Sequence, residues 1–217
     1  TAADQLWKLP EALSASDAVG CSGLVLTQVG YNCGIRPEVI PGERAVVIGD
    51  GLVGQWTAQT LKHRGAKVLV LGRHDDRLRF LPDAVAGWNV KTRPALDGVR
   101  AWAGDEPLAV VVDTAGSMPT VLELLPLLKR GAHLVSAGFY GQRGQIDIQL
   151  LRNREVTLHA PAGWTRERMD ATLEGIRQGW LNTRSLITHR FPVDEAPLAW
   201  ELILNKSENF LGVVLEW

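Results

Sequence analysis

The chain has 217 residues, of which 46% are hydrophobic and 22% are charged, and its formal net charge is -1. This composition predicts a globular protein with a sizeable core, and the balanced charge gives no electrostatic reason to expect nucleic acid or an anionic membrane as a partner. The apolar runs are only as long as strands, so we predict no membrane-spanning helix and no secretory signal. The two cysteines, Cys21 and Cys33, are too few for a disulfide framework, and we expect a reducing, cytoplasmic environment.

The first segment, residues 1–42, precedes the first clear strand. We predict a helix rich in small residues over 18–32, which the prolines and glycine at 37–42 bring to an end. The chain begins at Thr1, and both of its methionines lie far inside the sequence. We therefore expect it to be part of a longer polypeptide.

The next stretch, residues 44–73, has the clearest pattern. Residues 45–48 form a short β-branched apolar run suited to a strand buried on both faces. A glycine-rich turn follows, and residues 52–64 then carry apolar positions at helical spacing. Gly65 is typical of a helix end, and residues 67–71 are a second apolar run. The stretch predicts a strand, a turn, a helix and a second strand.

The turn between strand and helix has the pattern G-x-G-x-x-G. Gly49 permits a tight bend, Gly51 lets the backbone approach a pyrophosphate, and Gly54 brings helix and strand together. Leu52 and Val53 follow in the turn and begin the helix. At that helix start, free N–H groups and the helix dipole attract an anion. Between two strands and a helix, this pattern favours a dinucleotide site over a purely structural turn.

The end of the second strand predicts which dinucleotide is bound. An NAD site normally has a carboxylate there, whereas an NADP site must neutralise a 2′-phosphate. Here Gly72 is followed by Arg73 and His74, so no carboxylate repels the phosphate and Arg73 offers it a planar, charged group. Arg77, one helical turn further along, is a candidate for a second contact. We therefore favour NADP(H) over NAD(H) as the cofactor.

Two features leave an alternative open. Arg73, Arg77 and Arg79 also fit a solvated charge cluster with the aspartates at 75–76. Asp50, inside the glycine turn, would repel a phosphate unless its side chain points to solvent.

Strands and helices continue to alternate after the glycine-turn unit. Further strands are predicted at 88–92, 108–113, 133–137 and 155–159, with helices at 94–103 and 117–131, the second capped by Ser117 and ended by Gly131. This alternation predicts an α/β fold with a doubly wound parallel sheet. Ligands of such sheets bind beyond the carboxyl ends of the strands, so we expect the loops there to form one crevice. Besides the glycine turn, those loops contribute Gly72, Arg73, Thr114, Ala115, Gly116, Gly138, Phe139 and Tyr140.

The last third of the chain is less regular. We predict a helical turn at 146–152, an amphipathic helix at 165–180, an extended segment at 186–191, a helix at 194–204 and a closing strand at 210–217. A closing strand without neighbours favours association, so a homo-oligomer is expected.

Nine segments follow one another with a characteristic spacing: Leu9-Pro10-Glu11, Gly20-Cys21, Pro41-Gly42-Glu43, the glycine turn, Asp113-Thr114-Ala115-Gly116, Leu128-Lys129-Arg130-Gly131, Gly138, Leu186-Ile187-Thr188-His189 and Gly212-Val213-Val214-Leu215-Glu216. In this order the chain resembles the medium-chain dehydrogenase/reductases, the zinc alcohol dehydrogenase-like superfamily. The resemblance implies a Rossmann fold preceded by a GroES-like catalytic domain that is nearly finished where this chain starts. It assigns residues 1–42 to the tail of that domain, 43–185 to the NAD(P)-binding domain, and 186–217 to a segment returning to the catalytic domain.

The resemblance also implies hydride transfer between NADP(H) and a small-molecule alcohol or carbonyl, with this chain as the cofactor-binding portion, inactive by itself. The loop at 138–140 and the helix near Thr27 would hold the nicotinamide. Cys21 falls near a zinc ligand of the family, but zinc needs three protein ligands, so we expect no metal in this chain and zinc only in a full-length parent. A small buried residue is the favoured interpretation of Cys21. Leu211 replaces the arginine with which the family contacts the pyrophosphate.

Some candidates have a structural interpretation as well. Tyr140 is a candidate proton donor near the nicotinamide, although an aromatic residue at a strand end more often serves packing. His159 and His189 have no carboxylate partner at fixed spacing, so we favour a structural role for both. The catalytic residues are thus unassigned. The alternative to an oxidoreductase is a non-catalytic NADPH-binding module that senses the nucleotide or docks a partner.

Overall fold

The computed structural model describes residues 6–11, 13 and 19–217, apart from the side chain of Arg143. The helix predicted over 18–32 therefore begins outside the described residues. Within them, a short 3-10 turn at Cys21–Gly23 leads into a longer helix.

A six-stranded sheet forms the centre of the molecule. Its strands are β1 (Arg44–Ile48), β2 (Lys67–Gly72), β3 (Val85–Asn89), β4 (Leu108–Asp113), β5 (Leu128–Ser136) and β6 (Thr157–His159). Their order across the sheet is β3-β2-β1-β4-β5-β6, and every neighbouring pair is parallel. The predicted doubly wound α/β sheet, a Rossmann fold, is confirmed.

Helices connect the strands and cover both faces of the sheet. They are α1 (Leu24–Ile35), α2 (Leu52–His63), α3 (Asp75–Leu78), α4 (Ala95–Ala103), α5 (Met118–Leu124), α6 (Ile148–Arg152), α7 (Arg166–Arg177) and α8 (Ala196–Asn205). Successive strand residues point to opposite faces. Val46 and Ile48 of β1 therefore pack in the cluster that includes α4 and α5, whereas Ala45 and Val47 pack in the cluster that includes α1 and α2.

Small residues of α1 let it pack closely on α2, the helix that follows the glycine turn. A Cβ atom at Gly30 would lie 2.6 Å from the Cβ of Trp56, and one at Gly34 would lie 2.5 Å from the Cβ of Thr60. The Thr57 hydroxyl donates a hydrogen bond to the Gly30 carbonyl at 3.2 Å. Helix α2 is thereby held between α1 and the sheet, which fixes the direction of its first turn.

The third strand begins three residues earlier than its predicted start at 88. Ala84 has a positive φ of 66°, and the chain turns there so that Val85 pairs with Val68 of β2. Propensity alone favoured the run from Trp88 onwards, but pairing with β2 decides the register. The prediction of strand 88–92 was therefore displaced towards the C-terminus.

The helix predicted over 117–131 is shorter than expected. It ends at Leu124, a 3-10 turn at Leu125–Leu127 follows, and β5 begins at Leu128. Pro126 lacks the N–H group that a continuing helix needs. Gly131 thus lies inside β5 with a φ of 72° instead of ending a helix.

The C-terminal part forms a small second sheet. β7 (Ile187–Pro192) and β8 (Gly212–Glu216) pair in parallel, and α8 connects them. The predicted closing strand is therefore shorter than 210–217 and has the predicted extended segment as its partner. Trp200 and Leu204 of α8 are 59% and 73% exposed, so part of this helix presents apolar surface to solvent.

Candidate functional site

The predicted crevice lies where the strand order reverses, between β1 and β4. An outer cavity of about 620 Å³ is bordered by the ends of β2 and β4 and by Tyr140. A second cavity of about 420 Å³, the glycine-turn cavity, runs along residues 49–54 towards Leu211. Both cavities are lined by Gly49, Asp50 and Ala115. The loops after β1, β2, β4 and β5 therefore converge as expected.

The glycine turn has the geometry that its sequence predicts. Gly49 has a φ of 119°, and a Cβ atom there would lie 2.5 Å from the Thr114 hydroxyl oxygen. A Cβ atom at Gly54 would overlap the carbonyl oxygen of Gly49. At Gly51, by contrast, a Cβ atom would meet no described atom within 4 Å. Two glycines are thus required for close packing, and the third leaves the turn open on the side of the cavity.

The start of α2 is suited to an anion. Gly51 is its N-cap residue, and among the described residues no side chain caps the helix there. The first helical hydrogen bond runs from the N–H of Gln55 to the carbonyl of Gly51 at 2.9 Å. The N–H groups before Gln55 have no partner one turn earlier in the helix, and they carry the positive end of its dipole. A phosphate group fits this environment.

Asp50 does not point to solvent, contrary to the condition under which it was expected to tolerate a phosphate. Its side chain is buried and turned towards the end of β2. Oδ2 accepts hydrogen bonds from the backbone N–H groups of Arg73 at 2.7 Å and His74 at 2.8 Å, and the His74 Nδ1 lies 3.1 Å away. A Cβ atom at Gly72 would lie 2.7 Å from that oxygen. A carboxylate is therefore present at the end of β2, although the sequence of that strand contains none.

The two candidate arginines face different cavities. Arg73 is exposed and borders the outer cavity, and no carboxylate of the described residues lies within ion-pair distance of it. Arg77 borders the glycine-turn cavity, and its guanidinium lies 3.9 Å from the Asp50 carboxylate. The expectation that both arginines act at one phosphate is not matched by this arrangement.

Asp113, at the end of β4, shapes the loop on the other side of the crevice. Its carboxylate is fully buried and accepts hydrogen bonds from the N–H groups of Ala115, Gly116 and Ser117 at 2.8–3.0 Å. Gly138 packs against this loop so closely that a Cβ atom would overlap the backbone of Gly116. Sequence analysis did not identify Asp113 as an organising residue, although a strand-terminal aspartate before small residues is the signal for it.

Ser117 occupies the predicted N-cap position of α5, but its side chain makes no capping hydrogen bond among the described residues. Its hydroxyl pairs instead with the Thr120 hydroxyl at 2.9 Å. The Asp113 carboxylate already accepts the N–H of Ser117, so the loop is closed by the strand residue before it.

The nicotinamide-side predictions have mixed outcomes. Tyr140 borders the outer cavity, and burial raises the pKa of its phenol well above the ordinary value, with the nearby Asp113 carboxylate adding to the rise. The side chain of Phe139 is 100% exposed, and the Thr27 hydroxyl donates to the Gly23 carbonyl of its own helix at 3.0 Å. Of these three residues, only Tyr140 is brought to the crevice by its side chain.

Histidine pairing was missed by sequence analysis. The Nδ1 of His133 and the Nε2 of His159 lie 3.0 Å apart on β5 and β6, and burial lowers the pKa of both rings. His189 lies 3.4 Å from the carboxylate of Glu208. These partners come from different elements, so no fixed spacing along the chain identifies them.

The described residues do not fit a zinc centre by themselves. No group of three or more histidine, cysteine, aspartate or glutamate side chains among them is close enough to hold a metal ion. Cys21 is buried in a cluster with Leu24, Trp56 and Met169, in keeping with a packing role. Within the same part of the chain, no helix combines the length and apolar character needed to cross a membrane.

A reversal of strand order, a glycine turn at a helix start and a crevice beyond the carboxyl ends of parallel strands define a nucleotide-binding Rossmann domain. A family model described as "Zinc-binding dehydrogenase" matches residues 53–177. The chain therefore belongs to the zinc-binding dehydrogenase family, and its resemblance to the medium-chain dehydrogenase/reductases is confirmed.

A curated relative agrees with this assignment. The chain is 26% identical over 192 residues to an uncharacterized zinc-type alcohol dehydrogenase-like protein, YdjJ, of Escherichia coli (strain K12), covering 87% of this chain and 54% of that protein. It thus spans about half the length of this curated relative.

Solved structures share the fold. A short chain alcohol dehydrogenase from E. coli CFT073, complexed with NADH, has a TM-score of 0.82 at 22% identity. The match covers 99% of this chain and 63% of that dehydrogenase. A zinc-binding dehydrogenase from Sinorhizobium meliloti 1021, bound to NADP, has a TM-score of 0.78 at 22% identity, with 98% and 62% covered.

Proposed function

We propose that this chain is the NADP(H)-binding portion of an alcohol dehydrogenase-like oxidoreductase that acts on a small alcohol or carbonyl. The observation that carries the proposal is a crevice with a glycine turn on one side and the exposed Arg73 on its rim. The solved relatives include one bound to NADH and one bound to NADP, so the choice between the two rests on the residues of this chain.

The cofactor would lie along the loops at the carboxyl ends of the strands. When bound, it supplies the hydride donor or acceptor, and the chain binds and orients it. We propose as its binding residues Gly49, Gly51, Leu52, Val53, Gly54, Gly72, Arg73, His74, Arg77, Thr114, Ala115, Gly116, Gly138, Phe139 and Tyr140. The division of the chain at 42/43 and 185/186, and association of copies into a homo-oligomer, are parts of the same proposal.

The preference for NADP(H) depends on Asp50 as well as on Arg73. Asp50 lies at the end of β2, where a carboxylate disfavours a 2′-phosphate. Two backbone N–H groups already occupy its Oδ2, and His74 and Arg77 lie next to it. These donors offset its charge, whereas no carboxylate of the described residues offsets that of Arg73. The net balance at the outer cavity therefore favours an additional phosphate.

Fluorescence titration of the purified chain with NADPH and NADH tests the proposal. We expect Arg73→Ala to weaken the binding of NADPH about tenfold or more, because a charge-assisted hydrogen bond is lost, and to leave the affinity for NADH unchanged. Arg79→Ala is the matched control, since it removes an exposed arginine of the same segment that borders neither cavity. Equal affinities for both nucleotides, unaltered in Arg73→Ala, would contradict the preference for NADP(H).

Activity is tested separately in the full-length protein. Oxidation of small alcohols coupled to NADP reduction is expected there. Nucleotide binding without turnover of any alcohol or carbonyl would support the alternative, a sensing or docking module.

A further inference from the structure

The glycine-turn cavity has an arginine that the preference for NADP(H) does not use. The cavity is lined by residues 49–54, by Thr114 and Ala115, by Leu26, Phe210 and Leu211, and by Arg77. Arg77 is the cation among these described lining residues, and Asp50 is the anion. A dinucleotide that follows the glycine turn brings a diphosphate with two negative charges into this space.

Arg77 is held by one contact of its side chain and one of its backbone. Its guanidinium carbon lies 6.0 Å from the centre of the Phe210 ring, a distance at the outer limit of a cation–π contact. The fully buried Gln55 donates its amide N–H to the Arg77 carbonyl at 2.8 Å. Because Gln55 belongs to the first turns of α2, the backbone of Arg77 is tied to the helix whose N-terminus faces the cavity.

The guanidinium also has unused donor capacity. Its Nε is buried and has no hydrogen-bond partner among the described residues. Its contact with Asp50 is 3.9 Å, longer than a hydrogen bond, while the Asp50 Oδ2 is taken by the N–H groups of Arg73 and His74. A buried arginine donor without an acceptor is costly. The Arg77 side chain as a whole is 23% exposed and borders the cavity, so an anionic oxygen there can accept from its guanidinium.

We propose that Arg77 is the side chain that binds the diphosphate of the cofactor, in the cavity that the glycine turn also lines. This rests on the proposed function, because it assumes that a dinucleotide occupies the crevice. It changes the role first considered for Arg77, a second contact to the 2′-phosphate. Leu211, which lines the same cavity, supplies no charge, so Arg77 of α3 is the cation available to the diphosphate among the described lining residues.

Two ligands separate the two roles. NADH has the diphosphate but no 2′-phosphate, and 2′-AMP has the 2′-phosphate but no diphosphate. We expect Arg77→Gln to weaken the binding of NADH about tenfold or more, since one charge-assisted contact to the diphosphate is lost. The affinity for 2′-AMP should stay within about twofold of the wild-type value. Arg73→Gln should give the reverse pattern. The same titrations with NADPH should show a loss in both variants.

Two further variants guard against a loss of folding. Arg77→Lys keeps the charge but not the planar group, and we expect an NADH affinity between those of the wild type and Arg77→Gln. In the double variant Arg77→Gln, Leu211→Arg a cation returns to the same cavity, and part of the NADH affinity should return with it. Urea unfolding of each variant establishes that it is folded before it is titrated.

The outcomes are distinguishable. Equal NADH affinity in the wild type and in folded Arg77→Gln overturns the diphosphate role. A loss of 2′-AMP binding without a loss of NADH binding overturns it in favour of the 2′-phosphate role. If the wild type binds neither NADH nor NADPH, the proposed function itself fails.

Discussion

The loops after β1 and β4 each contain a buried aspartate, but the two aspartates act over different distances along the chain. Asp113 accepts hydrogen bonds from the N–H groups of the next residues, Ala115 to Ser117, and so closes its own loop. Asp50 accepts them from Arg73 and His74, and so ties the glycine turn to the end of the neighbouring strand. The first arrangement is local and the second is long-range. A buried carboxylate that accepts backbone N–H groups therefore shapes a loop of the crevice at Asp113, and at Asp50 it places a negative charge at the end of β2.

The largest effect is expected where the carboxylate has the most backbone partners. Asp113→Ala leaves three N–H groups of a partly buried loop without their acceptor, and we expect the free energy of unfolding to fall by about 3 kcal/mol. Asp113→Asn retains one carbonyl oxygen as an acceptor, so its free energy of unfolding should fall by about half as much. Urea unfolding measures both. If Asp113→Ala were as stable as the wild type, the loop would be held by packing of Gly116 on Gly138 instead.

Asp50→Asn should change ligand preference more than stability. The side chain keeps one oxygen for the N–H groups of Arg73 and His74, so we expect a loss of about 1 kcal/mol in unfolding free energy. Removing the charge at the end of β2 should raise NADPH affinity about fivefold relative to NADH, because repulsion of the 2′-phosphate is relieved.

Asp75→Asn is the matched control for that measurement. Asp75 is an exposed carboxylate of α3 and borders neither cavity, so its charge is screened by solvent. A shift in preference of the same size in both variants would mean that overall charge, and not the position of Asp50, sets the preference.

The smallest effect concerns the His133–His159 pair, where a polar contact joins two titratable rings instead of a carboxylate and N–H groups. Burial lowers the pKa of both rings in the folded chain. Below about pH 6.5, the unfolded chain therefore binds more protons than the folded chain, and stability is lost as the pH falls. From about pH 7 to about pH 5 we expect the free energy of unfolding to fall by less than about 1 kcal/mol, since both rings are partly exposed.

Thermal unfolding of the wild type and of His159→Gln across this pH range checks the effect. The variant should have the flatter pH profile. An identical profile would assign the pH dependence to other groups.

Burial raises the pKa of the Cys33 thiol to about 11, so a thiol that sequence analysis treated only by counting cysteines is protonated at neutral pH in the folded chain. Such chemical details depend on packing and were not accessible from the sequence.

The sequence by itself determined the local parts of this molecule. Periodicity and breakers predicted β1, α2 and β2. The glycine pattern predicted the bend at Gly49, which is a matter of its own positive φ, and the close approach of Gly54 to Gly49, which lies in the same turn. Alternation of strands and helices predicted the parallel sheet, since a crossover between parallel strands requires a connection of that length.

Only the tertiary structure decided the rest. The register of β3 depended on pairing with β2, which outweighed local propensity. The carboxylate at the end of β2 is contributed by Asp50 of another loop, and Arg77 faces the glycine-turn cavity instead of the outer cavity. Side-chain direction and through-space charge depend on how the elements pack together, and spacing along a chain does not encode them.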